Sequence, residues 1–388
     1  MNTSWPVIES DELKTTKDWQ IKMNTNMQQN KNIYVAIMAG GIGSRFWPIS
    51  RVSLPKQFLD ILGTGKTLIQ QTFDRFAQMV PPENIYVVTA DEYTEITKKQ
   101  LPHLPEENII GEPFRKNTAP CIAYISFKLR QINPEGSLIV APADHLILQE
   151  EKFLEVCANA LKFVNHFNSL LTIGIKPTYP NTGYGYIQHE DAPATPGVHK
   201  VKTFTEKPNK ELAQTFMSSG DFLWNSGIFI WQIKNGIAAF QAHMPEMYDL
   251  FLADEEKLNG PDEKAIIEEI YPQCSNISID FGVMEKANNV YVMPASFGWS
   301  DLGTWNSAWE NMEKDYLENA VAGDKVIVFD TTKCVVHVPN EKLVVLQGLE
   351  DFIIADTKDV LLICQKDKEQ EIKEYVAEVK RNTGEKFL

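Results

Sequence analysis

Paired cysteine is the first thing this chain lacks. Cys121, Cys157, Cys274, Cys334 and Cys364 are scattered, odd in number and without a C-x-x-C pair. That excludes a disulfide framework or a thiolate zinc site and reads as buried thiols in a reducing, cytoplasmic compartment. The seven histidines show no ligand spacing, and no apolar run approaches the roughly 18 residues that span a bilayer. A basic excess is missing too: 37 Lys and Arg stand against 52 Asp and Glu, a formal net charge of −15. Neither a membrane nor a nucleic acid is an expected partner, because a general nucleic-acid binder carries a broad basic surface. A small phosphorylated ligand remains open, since a local cluster of Arg and Lys can hold one inside an acidic protein. What is present is ordinary for a globular enzyme: 388 residues, 43% hydrophobic and 23% charged, enough for a large core and two domains.

Residues 1–32 are polar, without an apolar signal core, and read as a disordered leader or as sequence ahead of a later start at Met23 or Met27. From 33 to about 176, strand patterns (33–38, 85–89, 107–111, 137–141, 170–175) alternate with helix patterns (67–78, 92–100, 118–132, 150–167). That alternation predicts an α/β domain with a mostly parallel sheet, which binds ligands at the carboxyl ends of its strands. The span 177–318 is less regular. Strands are expected near 185–189, 200–205, 224–233 and 289–293, and helices near 209–218, 244–256, 261–270 and 280–287, as an insertion closing one side of a pocket. Over 319–365 short β segments recur every 8–11 residues, which suggests a small β-helix or coiled sheet. An amphipathic helix over 367–381 follows, with Ile372, Tyr375, Val376 and Val379 on one side, a plausible dimer contact. The domains expected are therefore 33–318 and 319–388.

The most informative stretch is IYVAIMAGGIGSRFWPISRVSLPKQFLD, residues 33–60. A short β-branched run stops at Ala39-Gly40-Gly41-Ile42-Gly43, and Arg45 and Lys56 follow. Glycines after a strand let backbone N–H groups approach an anion, and the two cations can complete a polyphosphate site. The dinucleotide fingerprint fails because its last glycine falls at Phe46. A Walker loop ending at Gly65-Lys66-Thr67 fails because its first glycine is Asp60.

Other residues supply complementary chemistry. Asp144, in Pro142-Ala143-Asp144-His145 after a strand, is placed to hold Mg²⁺ on phosphate oxygens; capping of the next helix is the structural alternative. Asp301, in GWSDLGTW, is the second carboxylate sought, with an N-cap as its alternative. Glu112 suits guanine, because a carboxylate accepts from both N1–H and the exocyclic amine. Asn117 and Thr118 flank the helix start beyond it and can cap that helix. Gly185 in NTGYGY, Glu206 and Lys207 in FTEKP, and Asn225 in WNSG offer amides, an acid, a base and an amide side chain for a sugar phosphate. Singly, each is also ordinary turn chemistry.

With these residues in view, the sequence resembles the bacterial single-function mannose-1-phosphate guanylyltransferases (GDP-mannose pyrophosphorylases). GGIGSRFWP with PKQF, PADH, NTGYGYI, FTEKP, WNSGIF, SIDFGVMEK and GWSDLGTW recur in that order. The resemblance implies a Rossmann-like nucleotidyltransferase domain and a short left-handed β-helix-like domain. It also implies Mg²⁺-dependent formation of GDP-mannose and pyrophosphate from GTP and mannose 1-phosphate, and a homodimer. By motif match, Ala39, Gly40, Gly41, Gly43, Arg45, Lys56, Glu112, Asn117 and Thr118 would bind the nucleotide. Asp144 and Asp301 would hold the metal, and Gly185, Glu206, Lys207 and Asn225 the sugar phosphate. Arg45, Lys56, Asp144 and Lys207 would carry the catalysis. Another sugar 1-phosphate, such as a manno-heptose phosphate, stays open at this level, as does a non-catalytic sensing subunit. The leader falls outside the family pattern, and no cupin-type isomerase domain follows, so isomerase activity is not expected.

Overall fold

Strand alternation divides β1 (Ile33–Met38) between two cores. Ile33, Val35 and Ile37 pack with Phe73, Phe76, Cys157 and Leu161 on one face, and Tyr34 and Ala36 with Ile122, Ile125 and Phe240 on the other. Both faces are covered, so the strand is apolar throughout and shows no polar alternation. The computed structural model describes residues 31–205 and 207–388; the leader expected over 1–32 lies almost wholly outside them.

β2 (Ile85–Ala90), β3 (Ile109–Glu112) and β4 (Ser137–Pro142) join β1 in the parallel order β3-β2-β1-β4. The helices between them span Leu68–Ala77, Thr94–Gln100 and Thr118–Ile132, close to their sequence-based limits. β5 (Leu146–Ile147) leaves the sheet, and the helix Glu150–His166 leads to β6 (Leu170–Ile175). β7 (Tyr186–Thr195), β8 (Val198–Thr205), β9 (Phe222–Gln232) and β10 (Val290–Ala295) complete a nine-stranded sheet among the described residues. The class is α/β, with parallel pairing through β3-β2-β1-β4 and again at β6–β10.

The span 177–318 is not an appended insertion. β9 runs antiparallel between β4 and β6 and so lies within the sheet itself. The helix Ile233–His243 follows β9 directly and was not expected. Gly236 in its interior disfavours a helix locally, yet a Cβ there would lie 2.4 Å from the Trp231 indole nitrogen, so close packing requires glycine. The helix expected at 280–287 is a single π-helical turn, Asp280–Met284.

A second, two-stranded sheet matters more for the site. β11 (Trp299–Ser300) pairs antiparallel with β5, Trp299 opposite Ile147 and Ser300 opposite Leu146. This pairing brings residue 301 back to the loop that carries residue 144.

The C-terminal strands are β12 (Ala320–Ala322), β13 (Val326–Phe329), β14 (Val335–His337), β15 (Val344–Gln347), β16 (Phe352–Asp356) and β17 (Leu361–Gln365). β12, β14 and β16 stack in parallel, β13 and β15 stack in parallel, and β17 turns back along β16. Successive strands alternate between two sheets, so the 8–11-residue spacing in sequence is half a coil of a β-helix-like unit. The closing helix, Ile372–Thr383, packs Ile372, Tyr375, Val376 and Val379 against a cluster containing Phe46, Trp47, Leu302 and Trp305.

Candidate active site

The carboxyl ends of β1, β3 and β4 converge. The Ala39 amide donates to the Val88 carbonyl at 2.8 Å, and the Ala143 amide to the Met38 carbonyl at 2.9 Å. Gln57 Nε2 (2.8 Å) and Thr89 Oγ1 (2.9 Å) both donate to the Ala39 carbonyl, which fixes the chain where the glycines begin. The resulting crevice, about 340 Å³, is lined by Ala39, Gly40, Gly41, Glu112, Asn117, Thr118 and Asp144, with Gln57, Arg115 and Lys116 among the others.

Glu112 is 7% exposed and accepts from the Tyr271 hydroxyl at 3.0 Å. Burial pushes its carboxyl up to about 7, against the opposing Tyr271 hydrogen bond. Asn117 caps the helix Thr118–Ile132 by accepting from the Thr118 amide, and Thr118 Oγ1 accepts from the Ile279 amide at 2.9 Å. Capping and cavity lining therefore coexist at these two residues.

Gly43 stands in the left-handed region at φ 69°, and a Cβ there would fall 2.4 Å from the Lys56 Cβ. Only glycine lets this turn press against Lys56. Lys56 is 4% exposed. Its ammonium donates to the Asp301 carbonyl at 2.8 Å and the Leu302 carbonyl at 3.1 Å, and it pairs with Asp144 Oδ2 at 2.8 Å. Leu302 is fully buried with φ 44°, a conformation that costs a branched residue roughly 1–2 kcal/mol and aims its carbonyl at the lysine. Burial opposes ionisation of Asp144, but the Lys56 charge and hydrogen bond outweigh it and hold the carboxyl below its ordinary range. His145 Nδ1 accepts from Trp299 Nε1 at 3.2 Å, so the neutral ring carries its proton on Nε2, 4.0 Å from Asp144 Oδ1. Burial lowers the His145 pKa and favours that neutral form.

Neither aspartate caps a helix. The residue before Glu150–His166 is Gln149, and Thr304 caps Trp305–Asn311 through a reciprocal capping box with Ser307. Asp301 Oδ1 instead accepts from the Tyr184 hydroxyl at 3.1 Å and the Gly303 amide at 2.9 Å. Asp301 lines a second cavity of about 500 Å³ together with Arg45, Asn181, Thr182, Gly183, Lys207, Glu369 and Gln370.

The expected groups are thus brought together only in part. Arg45 lies in the second cavity with Lys207, not in the crevice with Glu112, and its Nε donates to Gln370 Oε1 at 3.1 Å. Asn225 Nδ2 donates to Asp280 Oδ1 at 2.7 Å, its Oδ1 accepts from the Gly227 amide, and the Gly185 carbonyl accepts from the Asn225 amide. Asn225 and Gly185 do not line the second cavity, and Glu206 lies outside the described residues. Among the described residues no cluster of three or more His, Cys, Asp or Glu is placed to hold a metal. Two carboxylates remain sufficient for Mg²⁺, which takes its other ligands from phosphate and water.

The sequence model of the nucleotidyl transferase family matches residues 34–318. The chain belongs to the nucleotidyl transferase family. The model of the MannoseP isomerase/GMP-like beta-helix domain matches residues 324–379. The chain is 37% identical over 345 residues to the alginate biosynthesis protein AlgA of Pseudomonas syringae pv. tomato, covering 88% of this chain and 70% of that protein. It is 36% identical over 352 residues to the mannose-1-phosphate guanylyltransferase of Salmonella montevideo, covering 89% and 73%. A crystal structure from Thermus thermophilus, described as a mannose-1-phosphate geranyltransferase, superposes with a TM-score of 0.80 at 31% identity, covering 90% of this chain and 99% of that one.

In this nucleotidyl transferase the sequence motifs overlooked Arg115 and Lys116 in the crevice, although both precede Asn117 directly and supply the cations that Arg45 does not bring there. Arg115 donates to Glu92 Oε1 at 2.7 Å and lies over the Tyr93 ring, and Lys116 donates to the Pro272 carbonyl at 3.1 Å. Tyr184 falls inside the NTGYGY motif but had no role assigned to it, and Tyr271, Glu369 and Gln370 were overlooked. These three come from turns or from the C-terminal unit and carry no local pattern.

Proposed function

We propose that this chain is a mannose-1-phosphate guanylyltransferase, forming GDP-mannose and pyrophosphate from GTP and α-D-mannose 1-phosphate. The observation that carries this is the convergence of Gly40, Gly41, Glu112 and Asp144 on one crevice, with Lys56 linking Asp144 to the backbone at Asp301. The crevice would take the nucleotide, its guanine donors on Glu112. The second cavity, with Lys207 and Arg45, would take the sugar phosphate.

The reaction is one in-line displacement. A phosphate oxygen of the sugar phosphate forms a bond to the α-phosphorus of GTP, and the bond from that phosphorus to the bridging oxygen breaks. Pyrophosphate leaves with the electron pair. The nucleophile is already an anion, so no general base is needed; the task is to align two repelling anions and offset the developing charge. Lys56, Arg45 and Lys207 do this from the protein. Asp144 and Asp301 would hold Mg²⁺, which when bound neutralises phosphate charge. Asp144 suits that role because it stays ionised although it lies in a partly buried site.

The transfer domain spans 33–318 and the β-helix-like domain 319–388. A cytoplasmic location fits a chain whose five cysteines are all free. A homodimer would use the exposed apolar side chains of β13 and β15, Ile327, Phe329 and Val345. On the apolar side of Ile372–Thr383, the contact expected from the sequence, Ile372 is buried and Tyr375, Val376 and Val379 are partly buried against the chain's own body.

The test is pyrophosphate release with Mg²⁺ across a panel of nucleoside triphosphates and sugar 1-phosphates. GTP with mannose 1-phosphate should give the highest kcat/KM. Preference for another sugar 1-phosphate, or no turnover, would overturn the assignment.

A further inference from the structure

The C-terminal unit grips the segment that follows the glycine loop. Arg45 Nε donates to Gln370 Oε1 at 3.1 Å, and Trp47 Nε1 donates to the Phe387 carbonyl at 2.8 Å. Arg51 forks onto both oxygens of Asp359, at 2.5 and 2.9 Å, and donates to Thr357 Oγ1 at 3.0 Å. Between these anchors Phe46 is fully buried, 5.1 Å from the Trp305 ring centre. Across the cavity the neighbouring Glu369 accepts from the Asn306 amide at 2.8 Å, which fixes the turn bearing Gln370 to the helix that follows Asp301. Arg45, Lys207, Asp301, Glu369 and Gln370 all line the same cavity. Its wall is therefore incomplete without residues 369 and 370.

We propose that the C-terminal unit is a working part of the transfer site, with Gln370 as the positioning residue that aims Arg45 into the cavity. This rests on the reading of that cavity as the sugar-phosphate side of a nucleotidyl transfer site. The acceptor on the Arg45 Nε–H is neutral, so the carboxylate of this turn that acts on the arginine's charge is the adjacent Glu369, which is itself engaged by the Asn306 amide. A carboxylate in place of Gln370 would offset that charge further. Gln370 satisfies the Nε–H and leaves the two terminal nitrogens, which form the outward fork of the guanidinium. The anchors at Trp47 and Arg51 hold the backbone on either side of this contact, so the aim of Arg45 is set by the C-terminal unit and not by the glycine loop alone.

The test uses the full chain with Gln370→Ala, Gln370→Glu and Arg45→Ala, alone and combined. Gln370→Ala should lower kcat roughly tenfold with KM for GTP within about twofold, as expected for misplacement of a group acting in transfer. Adding Gln370→Ala to Arg45→Ala should cost nothing further. The second readout needs no turnover: the rate at which phenylglyoxal labels Arg45, followed by mass spectrometry of its peptide. Labelling should accelerate several-fold in Gln370→Ala and return toward the parent rate in Gln370→Glu, which keeps the acceptor oxygen. Unchanged kcat in Gln370→Ala, losses that multiply in the double variant, or equal labelling rates would each overturn the proposal. Should the parent protein release no pyrophosphate from any pair in the panel, the functional reading falls, and the labelling rates alone decide whether Gln370 aims Arg45.

Discussion

The Lys56 ammonium lies 2.8 Å from the Asp144 carboxylate and 2.8 Å from the Asp301 backbone carbonyl. One buried cation thus joins two loops that carry the candidate metal-binding carboxylates. Replacing it with the apolar Lys56→Met leaves a partly buried carboxylate and two carbonyls without their donor. Loss of one partner from such a pair costs about 3 kcal/mol, so denaturant unfolding should show destabilisation on that scale together with loss of turnover. The sign with pH follows from Asp144, whose folded pKa lies below its unfolded one. The pair's contribution is present above the unfolded value, near 3.8, and fades as pH falls through the lower folded value. The stability gap between Lys56→Met and the parent should narrow in strong acid.

Asp144→Ala and Asp301→Ala should each lower kcat by at least roughly a hundredfold, the scale of losing one electrostatic stabiliser. Pyrophosphate release titrated with Mg²⁺ checks this. Near-full Mg²⁺-dependent activity in Asp301→Ala would remove that residue from the metal site and leave its carboxylate as an acceptor for the Tyr184 hydroxyl and the Gly303 amide.

Glu112 gives a pH prediction of the opposite sign. Its folded pKa is raised to about 7 from an ordinary 4.5 by burial. The folded state binds the extra proton between those values, so stability falls as pH rises through that window. Above about pH 7 a penalty of about 3 kcal/mol remains. Glu112→Gln, which keeps an acceptor for the Tyr271 hydroxyl, should be more stable than the parent at pH 8 and similar to it near pH 4. Guanine binding needs the carboxylate, so KM for GTP should rise as pH drops below about 7. That dependence should vanish in Glu112→Gln. A parallel pH profile in the two proteins would remove Glu112 from base reading.

Lys207 lines the second cavity, away from Glu112 and the glycines. Lys207→Ala should therefore raise KM for mannose 1-phosphate by roughly tenfold or more, the scale of one lost charge-assisted contact, and change KM for GTP much less. Equal effects on both substrates would refute the division into two cavities.

Local pattern carried much of this protein. A short apolar run ending in glycines defined β1 and its loop, because a strand buried on both faces has no polar alternation and a turn pressed against Lys56 leaves no room for a Cβ. The strand–helix alternation and the 8–11-residue β spacing defined the class and the C-terminal coils for the same local reason. Tertiary structure alone decided where the charges point. β9 threads between β4 and β6, and the β5–β11 pairing sets Asp301 beside Lys56 across 245 positions of chain. Gln370 reaches Arg45 across 325. Periodicity reports only which face of its own element a residue occupies; contacts between elements depend on how strands order in the sheet and how the C-terminal unit docks, and no local pattern encodes either.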